Sequence, residues 1–197
     1  MKVVIASQNP GKIRELAQLF APLHIEVLSQ ADLRIKDQPE CAKTFVENAL
    51  QKARHVTAHA KLPAIADDSG LVVPALGGAP GIYSARFSGE NKDAKANIKK
   101  LLTLMQDFPN EERKAYFYCA LVYMTHADDP TPMICTGIWQ GEIARVEKGE
   151  DGFGYDPIFY LPELHKTAAE LSPEVKNKIS HRGLAFQSLF NFFRDHS

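Results

Sequence analysis

Two adjacent carboxylates close an apolar run in AIADDSG, and Asp67 and Asp68 are the residues of this chain best suited to acid–base or metal chemistry. A strand that ends in such a pair delivers it to one edge of a sheet, where ligands sit in open α/β folds. If the strand continues, the two side chains point to opposite sides, so one can face a cleft while the other makes structural hydrogen bonds. An Asp-Asp-Ser-Gly turn is the competing reading. A second stretch, SQNPGK at residues 7–12, follows a short apolar run and opens a helical pattern. Backbone amides at a helix start are unsatisfied and the dipole favours negative charge, so phosphate is a natural occupant. Ser7 and Asn9 could add hydrogen bonds, Gly11 permits close backbone approach, and Lys12 supplies a charge. It is not a Walker A loop, because Ile13 follows the lysine and the first glycine is missing. An ordinary strand-to-helix turn also fits these residues.

Three further groups carry chemistry-bearing side chains. Asn48, Lys52 and His55 recur at i, i+4 and i+7 and share a helix face, a pattern usually explained as a solvated stripe. GFGYDP at residues 152–157 holds two aromatics and a carboxylate. Phe153 or Tyr155 could stack on a base and Asp156 could accept from a base edge, or the stretch is a turn with two core aromatics. In ISHRG, His181 and Arg182 fall in the first turn of a helix, where the dipole disfavours cations by about 0.3–1 kcal/mol. An acceptor facing them would account for that placement, and so would solvent exposure of the arginine. Lys176, one short helix earlier, could point to the same place. An anion-binding loop, metal-ligand carboxylates, spread lysines and base-holding aromatics are together what a magnesium-dependent nucleotide enzyme needs.

The elements that must position these residues alternate between strand and helix. Val3–Ala6 reads as a strand buried on both faces, followed by a helix carrying Ile13, Leu16, Ala17, Leu19 and Phe20 and ending near Pro22. His24–Leu28 alternates as a second strand. Thr44-Phe-Val-Glu47 is a capping box opening a helix to about Ala60 with Phe45, Ala49, Leu50, Ala53 and Val56 inward. Glu47 is thereby accounted for, whereas Glu40 has no such local role. Leu62–Ala66 is a strand that runs into Asp67, and Asp93–Met105 a helix. Ala115–Met124 and Met133–Trp139 form a hairpin around HADDPTP, with a further strand over Glu142–Glu147. Ser172-Pro173 starts one short helix, and Ser180 could cap a last one carrying Leu184, Phe186, Leu189, Phe190 and Phe193. The pattern predicts a mixed-sheet α/β fold.

Bulk properties narrow the function classes. The 197 residues are most simply one domain, long enough to fold without disulfide or structural metal. The net charge of −1 gives no global attraction for nucleic acid or an anionic membrane. Cys41, Cys119 and Cys135 form no CxxC pair, and Cys119 and Cys135 lie in apolar runs as small core residues. The apolar run Ala115–Met124 falls well short of the roughly 20 residues that span a bilayer. These features predict a soluble, cytoplasmic protein.

The order SQNPGKIREL, ECAKTFVENALQKA, AIADDSGLVV, GGAPGIYSARFSG, GFGYDPIF, KTAAEL and ISHRG resembles the inosine triphosphate pyrophosphatase family, over nearly the whole chain. The resemblance implies hydrolysis of ITP, dITP and XTP to the monophosphate and pyrophosphate. It also implies an elongated two-lobed fold with a nucleotide cleft between the lobes, a single domain over residues 1–197, and a homodimer. By that match Ser7, Gln8, Asn9, Pro10, Gly11 and Lys12 form the phosphate-contacting loop. Asp68 is the general base, and Glu40 and Asp68 are the carboxylates near Mg2+. Lys52 and Ser69 make further phosphate-side contacts. Phe153, Gly154, Tyr155, Asp156, Lys176, His181 and Arg182 belong to the segments that recognise the purine and close over the nucleotide.

Overall fold

The computed structural model describes residues 2–23 and 25–195. Its strands are β1 (Lys2–Ile5), β2 (Glu26–Ser29), β3 (Ala64–Val72), β4 (Lys114–Met124), β5 (Met133–Ile143), β6 (Phe159–Leu161) and β7 (Lys166–Thr167). The α-helices are α1 (Pro10–Phe20), α2 (Phe45–Ala60), α3 (Ala94–Leu104), α4 (Pro173–Ile179) and α5 (His181–Asp195). The strands are hydrogen-bonded neighbours in the order β2-β1-β3-β4-β5-β6-β7. β1 runs parallel to β2 and β3, and β6 antiparallel to β5 and β7, so the sheet is mixed as expected.

The chain forms two compact units, each with its own core. The first comprises residues 1–68, 119–137 and 182–197. After the exposed Lys2, β1 is apolar and buried because it is covered on both faces, as parallel strands require. Leu16 and Phe20 of α1 and Ala185, Phe186, Leu189 and Phe193 of α5 close over it, with the Phe20 ring edge-on to Phe186 at 4.7 Å. The second unit comprises residues 69–118 and 138–181. Leu101 from α3, Met105 directly after it, Phe117, Trp139 and Phe159 form its centre.

Local chemistry explains the starts of the helices. Thr44 Oγ1 accepts from the Glu47 amide at 3.2 Å, and the Glu47 carboxylate returns to the Thr44 hydroxyl at 2.8 Å rather than to its backbone amide. Ser172 caps α4 with Pro173 in the first helical position. Two expectations need correction. β3 does not break at Asp67: it continues through Asp-Asp-Ser-Gly to Val72, which excludes the turn. β5 likewise extends to Ile143, so no separate strand spans Glu142–Glu147. The first helix ends at Phe20, and a 3₁₀ turn over Ala21–Leu23 absorbs Pro22. The second strand begins at Glu26, while His24 lies outside the described residues. No helix among the described residues is long and apolar enough to cross a membrane.

Candidate active site

Because β3 continues, Asp67 and Asp68 face opposite sides, and the first unit builds a different environment on each. On one side, Arg182 Nε donates to Asp67 Oδ2 at 2.7 Å, and the Lys12 ammonium pairs with Asp67 Oδ1. Arg182 also pairs with Glu15, which stands one helical turn beyond Lys12 on α1. The Cys119 thiol donates to Asp67 Oδ2 at 3.4 Å. Asp67 and Arg182 are both almost wholly buried, at 1% and 2% exposure. The arginine at the start of α5 therefore meets carboxylates from β3 and α1, which offset the unfavourable end of the helix dipole. Burial alone would raise the Asp67 carboxyl, but Arg182 and Lys12 outweigh it and hold Asp67 well below the usual carboxylate range. Burial and the neighbouring Asp67 charge push the Cys119 thiol well up, so it stays protonated.

On the other side, Lys52 Nζ lies 2.6 Å from Asp68 Oδ1 and 2.5 Å from Glu40 Oε1. Asn48 Nδ2 donates to Asp68 Oδ2 at 3.3 Å, while Asn48 Oδ1 accepts from the Ala42 amide at 3.1 Å. That second bond fixes the loop carrying Glu40. The α2 stripe is therefore not solvated: Asn48 is buried and Lys52 turns inward, while His55 bonds the Lys36 carbonyl oxygen at 2.9 Å. Burial raises Asp68, and it prevails over the lowering effect of Lys52 and Lys12, with Glu40 adding to the rise. Burial would lower Lys52, but Asp68 and Glu40 raise it, so the ammonium is firmly charged. The Lys12 and Lys52 ammoniums both lie 3.5 Å from the Asp67 carbonyl oxygen, which puts two cations side by side next to the carboxylate pair.

The loop before α1 is capped by its own side chain. Asn9 Oδ1 accepts from the Gly11 and Lys12 amides at 2.9 and 3.2 Å, and Ser7 Oγ accepts from the Asn9 amide at 3.1 Å. Two of the helix's first amides thus have partners already, and the strongest charge the loop presents is Lys12. Gln8, Asn9 and Pro10 are exposed. Ser69 is half-buried on β3, directly after Asp68.

The remaining predicted residues lie in the second unit. Asp156 Oδ2 accepts from the Phe153 amide at 2.8 Å and from Lys176 Nζ at 2.7 Å, and the Lys176 ammonium sits 5.0 Å from the centre of the Phe153 ring. Gly152 adopts φ +79°, and a Cβ there would come within 2.2 Å of Asp156 Oδ2, so only glycine permits this turn. Gly154, at φ +64°, is half-buried. Tyr155 is a core residue whose hydroxyl donates to the Ser84 carbonyl oxygen at 2.9 Å, and burial pushes its pKa up. The His181 ring stacks on Phe117 at 4.7 Å and 12°. Of the stretch GFGYDP, Phe153 is the half-buried aromatic and Tyr155 the structural one. Glu15 escaped the sequence reading, although its spacing of three from Lys12 was a usable signal.

The chain matches the Ham1 family model over residues 3–192. It belongs to the Ham1 family. Curated relatives include the dITP/XTP pyrophosphatase of Pectobacterium atrosepticum and that of Escherichia coli K12. Each is 53% identical over 194 residues, 98% of either chain. Among solved structures, a HAM1 protein from Coxiella burnetii is similar with a TM-score of 0.91 and 45% identity, covering 99% of both chains. The Staphylococcus aureus Ham1 protein follows at 0.87 and 43%, covering 100% of both.

Proposed function

We propose that this Ham1-family chain hydrolyses non-canonical purine nucleoside triphosphates, dITP, XTP and ITP, to the monophosphate and pyrophosphate. The observation that carries this reading is a buried carboxylate, Asp68, beside two converging lysine ammoniums, one of which it shares with Glu40. Relatives 53% identical over 98% of the chain are dITP/XTP pyrophosphatases, which supports it.

The charge balance of the site bears on the cofactor. Lys12, Lys52 and Arg182 meet four carboxylates, Asp67, Asp68, Glu40 and Glu15, so the centre offers a triphosphate no surplus of positive charge. A divalent cation would supply it. Glu40 and Asp68 converge on a single ammonium, and two carboxylates completed by phosphate oxygens are what Mg2+ takes. Bound there by Glu40 and Asp68, Mg2+ would neutralise phosphate charge and assist departure of pyrophosphate.

The chain's own residues do the rest. Asp68 accepts a proton from a water molecule as its oxygen attacks the α-phosphorus. The bond from that phosphorus to the bridging oxygen breaks, and pyrophosphate leaves with the electron pair. Lys12 and Lys52 place fixed positive charge beside the phosphates, and Lys52 also holds Asp68 in position. Ser7 and Ser69 add hydroxyls on the phosphate side. Phe153, braced by the Lys176–Asp156 pair, provides a stacking surface for the purine. Asp67 stays ionised and organises Lys12 and Arg182.

A Mg2+-dependent assay on dITP, XTP, ITP, ATP, GTP and dTTP tests this reading. Release of pyrophosphate from the first three, well above the others, is the expected outcome. Release of orthophosphate and a diphosphate would reject the bond assignment, and activity centred on dTTP would reject the substrate class.

A further inference from the structure

The second unit contains a pocket of about 340 Å³ that none of the residues assigned above lines. Its walls include Arg113, Arg145 and Lys148, with Glu142 as the one carboxylate and Tyr160 as the aromatic. Three cations therefore line it with one carboxylate, and a second, Glu170, accepts from the amide of the lining Thr167 at 2.7 Å and interacts electrostatically with Lys148.

The two arginines, Arg113 buried and Arg145 exposed, are both held by neutral acceptors. Arg113 is 3% exposed, and its guanidinium donates only to backbone carbonyl oxygens: Nε to Ile143 at 2.7 Å, Nη2 to Ala144 at 3.1 Å, and Nη1 to Met105. Arg145 Nη2 donates to the Phe108 carbonyl oxygen at 3.2 Å and to Asn110 Oδ1 at 2.9 Å. Every one of these acceptors is neutral. Among the described residues neither guanidinium, nor the Lys148 ammonium, has a carboxylate within ion-pair distance. Burial and then the charge of Arg145 lower the Arg113 pKa, the mark of two like charges set close together. Each guanidinium has five N–H groups, so both retain donors after these contacts. Stapling the loop between α3 and β4 would explain the donors in use. It does not explain why two arginines and a lysine gather at an open cavity where the cations outnumber the carboxylates Glu142 and Glu170.

We propose that this pocket is a second anion site, independent of the Asp68 centre, that takes a small phosphate-bearing ligand. Paired guanidiniums match the oxygen geometry of phosphate, and the cavity falls within the size range of small-ligand sites. The phosphoryl group binds Arg113, Arg145 and Lys148, whether it is free phosphate or diphosphate or the end of a nucleotide.

The test is a titration of the full-length, 15N-labelled protein with inorganic phosphate at constant ionic strength, with chloride as the control. Saturable shifts are expected at the amides of Arg145, Val146, Lys148 and Thr167. The double variant Arg145→Gln/Lys148→Gln, altered only at exposed side chains, should weaken that binding on the order of tenfold or more. Parallel titrations with pyrophosphate and with a nucleoside monophosphate separate the sources. A nucleotide that saturates at lower concentration than either inorganic anion, and also moves Tyr160, identifies itself as the ligand. Equal shifts with chloride, shifts confined to residues around Lys12 and Lys52, or unchanged binding in the double variant would overturn the proposal.

Discussion

Two neighbouring carboxylates on one strand have opposite fates in this molecule. Asp67 is sunk against a guanidinium, an ammonium and a thiol, and is held ionised. Asp68, one residue later, is buried with a lysine and an amide but shares that lysine with Glu40, and its proton affinity rises. The difference is one of partner count rather than of burial. Asp67 has two cations directly on its oxygens, enough to outweigh desolvation; Asp68 has one, divided between two acids. An anchor and a base can therefore be made from the same residue type at adjacent positions, because the pleat sends them to different neighbours.

Substitutions should break this contrast unequally. The largest expected effect is that of Asp68→Asn, which should lower turnover of dITP by about 10²–10⁴-fold while leaving thermal unfolding close to that of the parent, as general-base precedent suggests. Near-normal turnover in this variant would remove Asp68 from the role. Asp67→Asn acts chiefly on the fold. Removing one member of a buried charged cluster costs about 3–5 kcal/mol, so urea unfolding should shift strongly to lower midpoint, and an unchanged midpoint would deny the anchor.

The pH dependence of stability sharpens the same comparison. A carboxyl whose folded pKa is depressed contributes stability above its unfolded value near 3.8, and that contribution is lost as pH falls toward the folded pKa. A carboxyl with raised folded pKa, as Asp68, has the opposite sign: its contribution is present below 3.8 and lost as pH rises through the folded value. Unfolding free energy should therefore fall as pH drops below about 4 in the parent. The slope should be shallower in Asp67→Asn, which would be measured by chemical denaturation at several acidic pH values. The smallest effect is expected for Cys119→Ala. The thiol only brushes Asp67, so a loss of about 1 kcal/mol with turnover retained is the expected outcome; a collapse of turnover would give the thiol a part in the chemistry.

The layers of the fold were legible where periodicity was long. Helices α1, α2, α3 and α5 all stood out by apolar spacing and capping residues. What the sequence hid was continuity and direction. Asp-Asp-Ser-Gly has turn chemistry, yet pairing with neighbouring strands carries β3 through it, and the same tertiary override extends β5 past Trp139 to Ile143. β6 and β7, of three and two residues, are too short to leave a period. Within the site, Asp68 was readable as chemistry from its place at the end of an apolar run, whereas Lys52 and Glu40 took their roles from the family resemblance. The inward turn of Asn48 and Lys52 was not, since a polar stripe on a helix looks the same whether it meets water or a buried carboxylate. Arg182 was flagged by its unfavourable place at a helix start, but its partners Asp67 and Glu15 lie 115 and 167 residues away in sequence, beyond any local signal.

The division of labour between the two carboxylates is open to direct observation by 13C NMR of their side-chain carboxyl resonances during a pH titration. Asp68 should titrate above the ordinary value of 3.8, while Asp67 should remain ionised well below it for as long as the protein stays folded. Two similar midpoints near 3.8, or the reverse order, would contradict the assignment of anchor and base.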